Sequence, residues 1–426
     1  MITFRSIAGT ERFLFLQLMK IRILLYYLPM LLHGRMSAQR FITFLKRLLI
    51  FLAKLNHNKF VRFNGKTRLD LYVPGFPSPA FFTACDKFSV FGQKLPCVTT
   101  LISVTSACRY NCPHCYQKRD QGKDVAIDLL VSAVRFLQDA GIAFFNIEGG
   151  EPFLVYDRLK QVCATIDHRS EIWVNSTGDG MSIERLKELK ALNLTAIMFS
   201  LHTADPQTLN RFMGTDNAWE NLERGITLCH QADIPVTFNT CVPKQDFFNG
   251  AFDRIMEKAR EFNGCLVQLI KPKPAGGRME QGVERYTPEE HTRIAIIVNR
   301  YNHDLSYRSF PAITAQFLEE TPDVFGCTAG GTDRFYINAK GDVQPCEFLN
   351  ISFGNIAEEP FPDIYQHMRD CFDKPGETWL CEAYAQKIRE LAGEESILPL
   401  DKEKSRRVYG TWDRGKETEL YQKVEG

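Results

Sequence analysis

From about residue 97 onward, short apolar runs alternate with longer amphipathic stretches. Apolar runs lie at 99–105, 143–148, 171–175, 195–200, 235–241 and 265–270, and each is short enough for a strand buried on both faces. Between them, apolar residues recur at helical spacing near 126–140, 156–168, 182–191, 217–231 and 247–262. Six strands alternating with helices predict an α/β fold, a parallel sheet wrapped into a partial (β/α)6 barrel with right-handed connections. A ligand site in such a fold lies beyond the carboxyl ends of the strands.

The first seventy residues follow another pattern. Helical periodicity predicts two helices, about 11–33 and 37–56, separated near Gly34. They are rich in aliphatic and aromatic residues, as in Phe13-Leu14-Phe15-Leu16 and Leu48-Leu49-Ile50-Phe51-Leu52. Residues 1–68 hold thirteen Lys or Arg and one acid, Glu11, a balance of +12; the remaining 39 bases and 50 acids leave −11. The net charge of +1 conceals this polarity, which predicts that the first segment meets an anionic surface.

The longest charge-free stretch there, Ile23 to Gly34, has twelve residues, too few to span a bilayer. No small-residue cleavage site follows it, against a signal peptide. Two readings remain: peripheral membrane contact through residues 11–56, or docking of the helices on the rest of the chain.

The domain organisation expected is a basic amphipathic helical extension (1–70), an α/β core (97–275), a helical linker (276–320) and a C-terminal domain with its tail (321–426). A Pro- and Phe-rich loop around Pro74-Gly75-Phe76-Pro77 precedes the core. The chain of 426 residues can bury a large core, and its 44% hydrophobic content is that of a globular protein. Thirteen cysteines without a signal peptide point to reduced thiols and a cytoplasmic location, with clustered cysteines binding metal. Cys85, Cys97, Cys163, Cys229, Cys241 and Cys265 stand alone in apolar or strand-like surroundings, as small buried hydrophobes do. Cys241 ends the run 236–240 at the predicted barrel rim and is a candidate catalytic thiol.

The candidate chemistry starts at Cys108, Cys112 and Cys115, a C-x3-C-x2-C set on one short stretch. Three thiolates hold three irons of a [4Fe–4S] cluster and leave the fourth iron open. A structural zinc site needs four ligands in tetrahedral array. His114, between Cys112 and Cys115, is badly placed to be the fourth.

This loop resembles that of the radical S-adenosylmethionine (SAM) superfamily, with His114 at the position the family gives to an aromatic residue. Further motifs follow in the family's order: Gly149-Gly150-Glu151-Pro152 resembles its GGEP segment, and Asn175-Ser176-Thr177-Gly178 and Ser200-Leu201-His202 end later apolar runs. The resemblance implies that Cys108, Cys112 and Cys115 hold the cluster. It places Gly149, Gly150 and Glu151 at the methionine end of SAM, with Asn175, Ser200 and His114 as further cofactor contacts. It implies reductive cleavage of SAM to a 5′-deoxyadenosyl radical that abstracts hydrogen from a substrate. A low-potential donor of the ferredoxin or flavodoxin type would supply the electron.

A second cysteine group lies at Cys327, Cys346, Cys371 and Cys381, around the turn Ala339-Lys340-Gly341-Asp342. It resembles the C-terminal auxiliary-cluster domain called SPASM, or the shorter twitch domain, with room for one auxiliary iron–sulfur cluster. The full SPASM pattern needs more cysteines than follow Cys346 here.

Relatives with such domains often modify peptides, whereas the basic apolar segment favours a membrane-associated lipid, with the enzyme peripheral on the inner face of the membrane. Two other classes are compatible with clustered cysteines: a non-catalytic iron–sulfur electron carrier or cluster scaffold, and a zinc-dependent nucleic-acid binder. The second is disfavoured because the basic residues are interleaved with long aliphatics rather than exposed aromatics.

Overall fold

The computed structural model describes residues 4–90, 94, 96–395 and 397–425. Its centre is a nine-stranded sheet built on the six predicted strands: β4 (Thr99–Ser103), β5 (Phe144–Glu148), β6 (Glu171–Ser176), β7 (Leu194–Ser200), β8 (Val236–Cys241) and β9 (Leu266–Ile270). All six run parallel in sequence order. The predicted helices appear at Ile127–Asp139, Tyr156–Thr165, Ile183–Ala191, Ala218–Gln231 and Ala251–Glu261.

Beyond the six, the sheet is larger than the pattern predicts. The stretch 276–320, expected as a helical linker, contains β10 (Ala312–Ala315), which pairs in parallel with β9. The C-terminal region is not a detached unit either. Its β11 (Arg334–Ile337) pairs in parallel with β4, and β12 (Val343–Gln344) turns back on β11. The C-terminal cysteines therefore hang from the sheet that carries Cys108.

Side-chain alternation along each strand divides the core. Outward positions such as Phe145, Ile147, Val174, Phe199, Phe238 and Val267 pack under the helices. Inward positions near the strand starts are also apolar: Phe144, Trp173, Ala196, Met198 and Leu266. Two to four residues further, the inward positions turn polar, to Asn146, Glu148, Asn175, Ser200, Asn239 and Gln268, which line a cavity. Four of the strands, β5, β6, β7 and β9, thus supply both a greasy floor and a polar ceiling.

The N-terminal extension closes the floor. Here the helical expectation is incomplete, for β1 (Arg5–Ile7), β2 (Phe60–Phe63) and β3 (Lys66–Arg68) form a three-stranded antiparallel sheet. Val61, Phe63 and Leu71 pack on the apolar inward residues. Arg68, buried, stacks 4.6 Å from the Trp173 ring and pairs with buried Glu171 at the start of β6. Higher up, Gln268 Nε2 donates to the Tyr72 hydroxyl at 2.9 Å.

Helix α1 (Gly9–Leu32) and helix α2 (Ala38–Lys54) match the two predicted ones. Ser37 caps α2, accepting from the Arg40 amide. Their inner faces join Phe60, Phe76, Phe81 and Phe88 in a separate core, and Leu420, Tyr421 and Val424 of the C-terminal helix complete it. The docking reading holds for α2 and for one face of α1. The twelve-residue limit on a span does not describe α1, whose 24 residues are long and apolar enough to cross a membrane by length and composition.

Candidate active site

Cys108, Cys112 and Cys115 follow β4 on a loop held from three sides. Asp124 accepts from the Thr105 hydroxyl (2.6 Å) and the Ser106 amide (2.9 Å). The Gly150 amide donates to Thr105 O and the Glu151 amide to Ala107 O, both at 2.8 Å. A Cβ on Gly150 would stand 2.2 Å from Ala107 O, and one on Gly149, at φ +146°, 2.5 Å from Thr105 O. Only glycine permits this approach. From the end of β9, Gly276 presses on Cys115 O and Tyr116 O, and the Gly277 amide donates to Cys115 O at 2.9 Å. Sequence reasoning missed this third strap; its signal was Pro274-Ala275-Gly276-Gly277 directly after a strand.

All three cysteines line one cavity of about 370 Å³ at the carboxyl ends of the strands. Gly149, Gly150, Asn175, Ser200, His202, Cys241 and His114 line it too, so the structure brings together nearly every predicted site residue of the core.

Glu151 is the exception. Its buried carboxylate accepts from the Ser176 hydroxyl (2.8 Å), the Thr177 amide (2.7 Å), the Thr177 hydroxyl (2.6 Å) and the Phe153 amide (3.1 Å). It ties the glycine turn to the end of β6, and its side chain does not line the cavity that Gly149 and Gly150 share. Burial pushes it up to about 7.

His114 stacks on Phe212 at 4.7 Å and meets His202 edge-on at 4.5 Å. Burial lowers both imidazoles, His114 to about 4, so each is neutral at pH 7. His202 Nδ1 accepts from the Cys241 amide at 3.1 Å. Cys241 faces the cavity, but burial pushes its thiol up to about 12, which is unsuited to a thiolate nucleophile.

Several cavity residues were not predicted. Glu148, at the end of β5, accepts from Tyr116 Oη (2.8 Å), Asn175 Nδ2 (3.0 Å) and Asn146 Nδ2 (3.2 Å). Burial, then the neighbouring Glu347, pushes its carboxyl up to about 8. On the opposite wall buried Lys271 and Lys273 share one carboxylate, Glu382, at 2.8 and 3.2 Å, with Lys273 Nζ 3.2 Å over the Trp379 ring. Nothing but inward parity at a strand end could have singled these residues out.

The donor set and its surroundings fit a [4Fe–4S] cluster with bound SAM. Burial, with the neighbouring thiols of the loop adding to it, raises Cys112 to about 12 and Cys115 to about 11. Three converging thiolates therefore need a strongly cationic centre to neutralise them. Asn175 Oδ1 and His114 Nδ1 are buried without a hydrogen-bond partner, both on residues lining the cavity.

The C-terminal cysteines divide. Cys327, Cys346 and Cys381 line a second cavity of about 20 Å³ with Trp379, Phe348 and Leu349. The Gly330 amide donates to Pro345 O at 2.8 Å and joins the loops bearing Cys327 and Cys346. Cys371, expected in this set, instead ends the helix Phe361–Cys371, with Asp370, Arg414 and Lys94 as its charged neighbours. It does not line the cavity of the other three. Cys346 Sγ lies 3.0 Å from Glu347 Oε2, and Glu347 lines the large cavity. Lys273 and Phe348 line both cavities and form the wall between them.

Comparison with known proteins agrees with this geometry. The chain is 22% identical over 311 residues to the AdoMet-dependent heme synthase of Methanosarcina barkeri, covering 66% of this chain and 86% of that protein. It is 25% identical over 281 residues to a probable GTP 3′,8-cyclase of Pyrobaculum aerophilum, covering 63% and 87%. The structure of Streptococcus suis SuiB bound to S-adenosylmethionine shares the fold at a TM-score of 0.50 and 16% identity; the match covers 63% of this chain and 65% of that one. Residues 102–247 match the radical SAM superfamily and residues 327–383 the SPASM iron–sulfur cluster-binding domain. The chain thus carries a radical SAM domain and a SPASM domain, and is an enzyme that uses a [4Fe–4S] cluster and SAM and has a further iron–sulfur site.

Proposed function

We propose that this enzyme abstracts hydrogen from a peptide or a membrane-associated lipid and passes the electron left on the substrate to the SPASM site. When bound, the cluster and SAM supply one-electron cleavage of the sulfur–C5′ bond, giving methionine and a 5′-deoxyadenosyl radical that takes a hydrogen atom. The chain's residues do the rest. Cys108, Cys112 and Cys115 would hold the cluster, while Gly149 and Gly150 shape the cradle for SAM. Asn175, with an acceptor to spare, suits a ribose hydroxyl, and Ser200 lies on the same rim. Tyr72 and Gln268, bonded to each other, lie where the cavity meets the packed floor.

The observation that carries this reading is the shared wall of Lys273 and Phe348, which sets the substrate cavity directly against Cys327, Cys346 and Cys381. An electron carrier or scaffold has no use for a large cavity at its open cysteine loop. A low-potential donor of the ferredoxin or flavodoxin type would deliver the first electron. The peptide reading is supported by the SPASM domain, and the lipid reading by the basic, apolar N-terminal helices, with the enzyme peripheral on the cytoplasmic membrane.

Deuterium transfer separates the two substrates. Anaerobic enzyme, SAM and reductant are incubated with perdeuterated membrane lipids and unlabelled cell peptides, and 5′-deoxyadenosine is weighed by mass spectrometry. Deuterium in the nucleoside identifies a lipid donor. Substrate-stimulated nucleoside without deuterium identifies a peptide, and no stimulation by either fraction contradicts both.

A further inference from the structure

Helix α1 shows two different faces along its whole length. Phe15, Met19, Ile23 and Tyr27, spaced four apart, are buried. Phe15 meets Phe60 and Phe76 edge-on, and Tyr27 meets Phe44 at 4.5 Å. Polar contacts fasten the same side: the Tyr27 hydroxyl lies 2.7 Å from Asp86 Oδ1, and the Arg12 guanidinium donates to Asn56 O and Asn58 O.

The opposite face is just as apolar and has no cover among the described residues. Leu14 (60%), Leu18 (49%), Ile21 (54%), Leu25 (59%) and Leu32 (73%) are exposed in one stripe at spacings of four, three, four and seven. Phe13 and Leu24 widen it on one side. At 100° per residue, Lys20 and Arg22 stand on either flank of Ile21, and both are exposed. Arg35 and Arg40, exposed, follow just beyond the helix end. Glu11, the lone acid of residues 1–68, is paired with Arg5.

A patch of this extent on a soluble chain marks an interaction surface. We infer that the outer face of α1 lies in the interfacial plane of an anionic bilayer, its leucines among the acyl chains and Lys20 and Arg22 at the headgroups. Charge selects this occupant. A second copy of α1 would oppose bases to bases with no acid to relieve them, whereas anionic headgroups satisfy both flanks. The fastened inner face selects the orientation, because a helix crossing the bilayer would give up Phe15, Met19, Ile23 and Tyr27. This is independent of which substrate the cavity accepts, so it can fail without affecting the radical chemistry.

The test is flotation of the full-length, iron-loaded protein with vesicles of neutral phosphatidylcholine, with or without 30% phosphatidylglycerol. The variants are Leu18→Glu/Ile21→Glu/Leu25→Glu and Lys20→Gln/Arg22→Gln. All five positions are exposed, so thermal midpoint and iron content should match the wild type. Wild-type protein is expected to float with anionic vesicles and bind neutral ones at least tenfold more weakly. The triple variant should lose binding by a hundredfold or more, and the double variant by about tenfold. Unchanged flotation of the triple variant would overturn the inference. So would a wild-type dimer that ignores vesicles and becomes monomeric in the triple variant, or binding that survives alkaline carbonate extraction as a membrane span does.

Discussion

The two cysteine sites are built from the same kind of ligand and set in opposite surroundings. Cys108, Cys112 and Cys115 stand on a loop over a cavity of about 370 Å³, with Cys108 itself exposed. Cys327, Cys346 and Cys381 close on about 20 Å³ beneath Trp379, Phe348 and Leu349. The first can admit a whole cofactor and a substrate. The second is too closed to admit a substrate beside its iron–sulfur site, so the difference in volume predicts a division of labour: chemistry at the open site, electron acceptance at the closed one.

The largest effect that would sharpen this contrast is removal of an open-site ligand. Cys115→Ala should lower iron content by roughly four per chain and leave only the electron paramagnetic resonance signal of the SPASM site. Loss of both signals together would break the contrast. Next in size, Cys381→Ala should spare uncoupled SAM cleavage yet depress product formation at least tenfold, while Cys371→Ala leaves both at wild-type levels. An equal loss in Cys371→Ala would return that residue to the ligand set.

Gly150→Ala is a smaller, structural perturbation. Its methyl group would meet Ala107 O, and the loop must move, at a cost of about 2–4 kcal/mol measured by urea unfolding. The closed site should keep its iron.

The smallest effect is a pH dependence. Glu148 is raised to about 8 from an ordinary value near 4.5, so its protonated form favours the fold. That stability is fully present below about pH 4.5 and is lost as pH rises through about 8. Glu148→Gln should therefore make the decline in stability between pH 5 and 8 shallower. An unchanged slope would mean that the carboxyl is ionised in the folded protein.

The barrel was legible in the sequence because its strands are short, largely apolar runs that recur between helical stretches. β10 escaped: Ala312-Ile313-Thr314-Ala315 is only four residues long, with two of them alanine. The cluster loop could be read from its cysteine spacing, and the glycine turn through its resemblance to the family's GGEP segment. Glu148, Lys271 and Lys273 could not, since a charged residue at a strand end has no periodic signature until the barrel shows which side is inward. Sequence distance also could not show that Cys371 ends a helix and does not line the cavity of the other three. For α1, the choice between docking and an exposed role was posed as exclusive, and the helix divides it by face.

The central claim is tested most directly by measuring 5′-deoxyadenosine formed from SAM and a strong reductant by anaerobically reconstituted wild-type, Cys115→Ala and Cys381→Ala proteins, side by side. The account predicts product from the wild type and Cys381→Ala and none from Cys115→Ala. Product that survives in Cys115→Ala, or that vanishes equally in both variants, would contradict it.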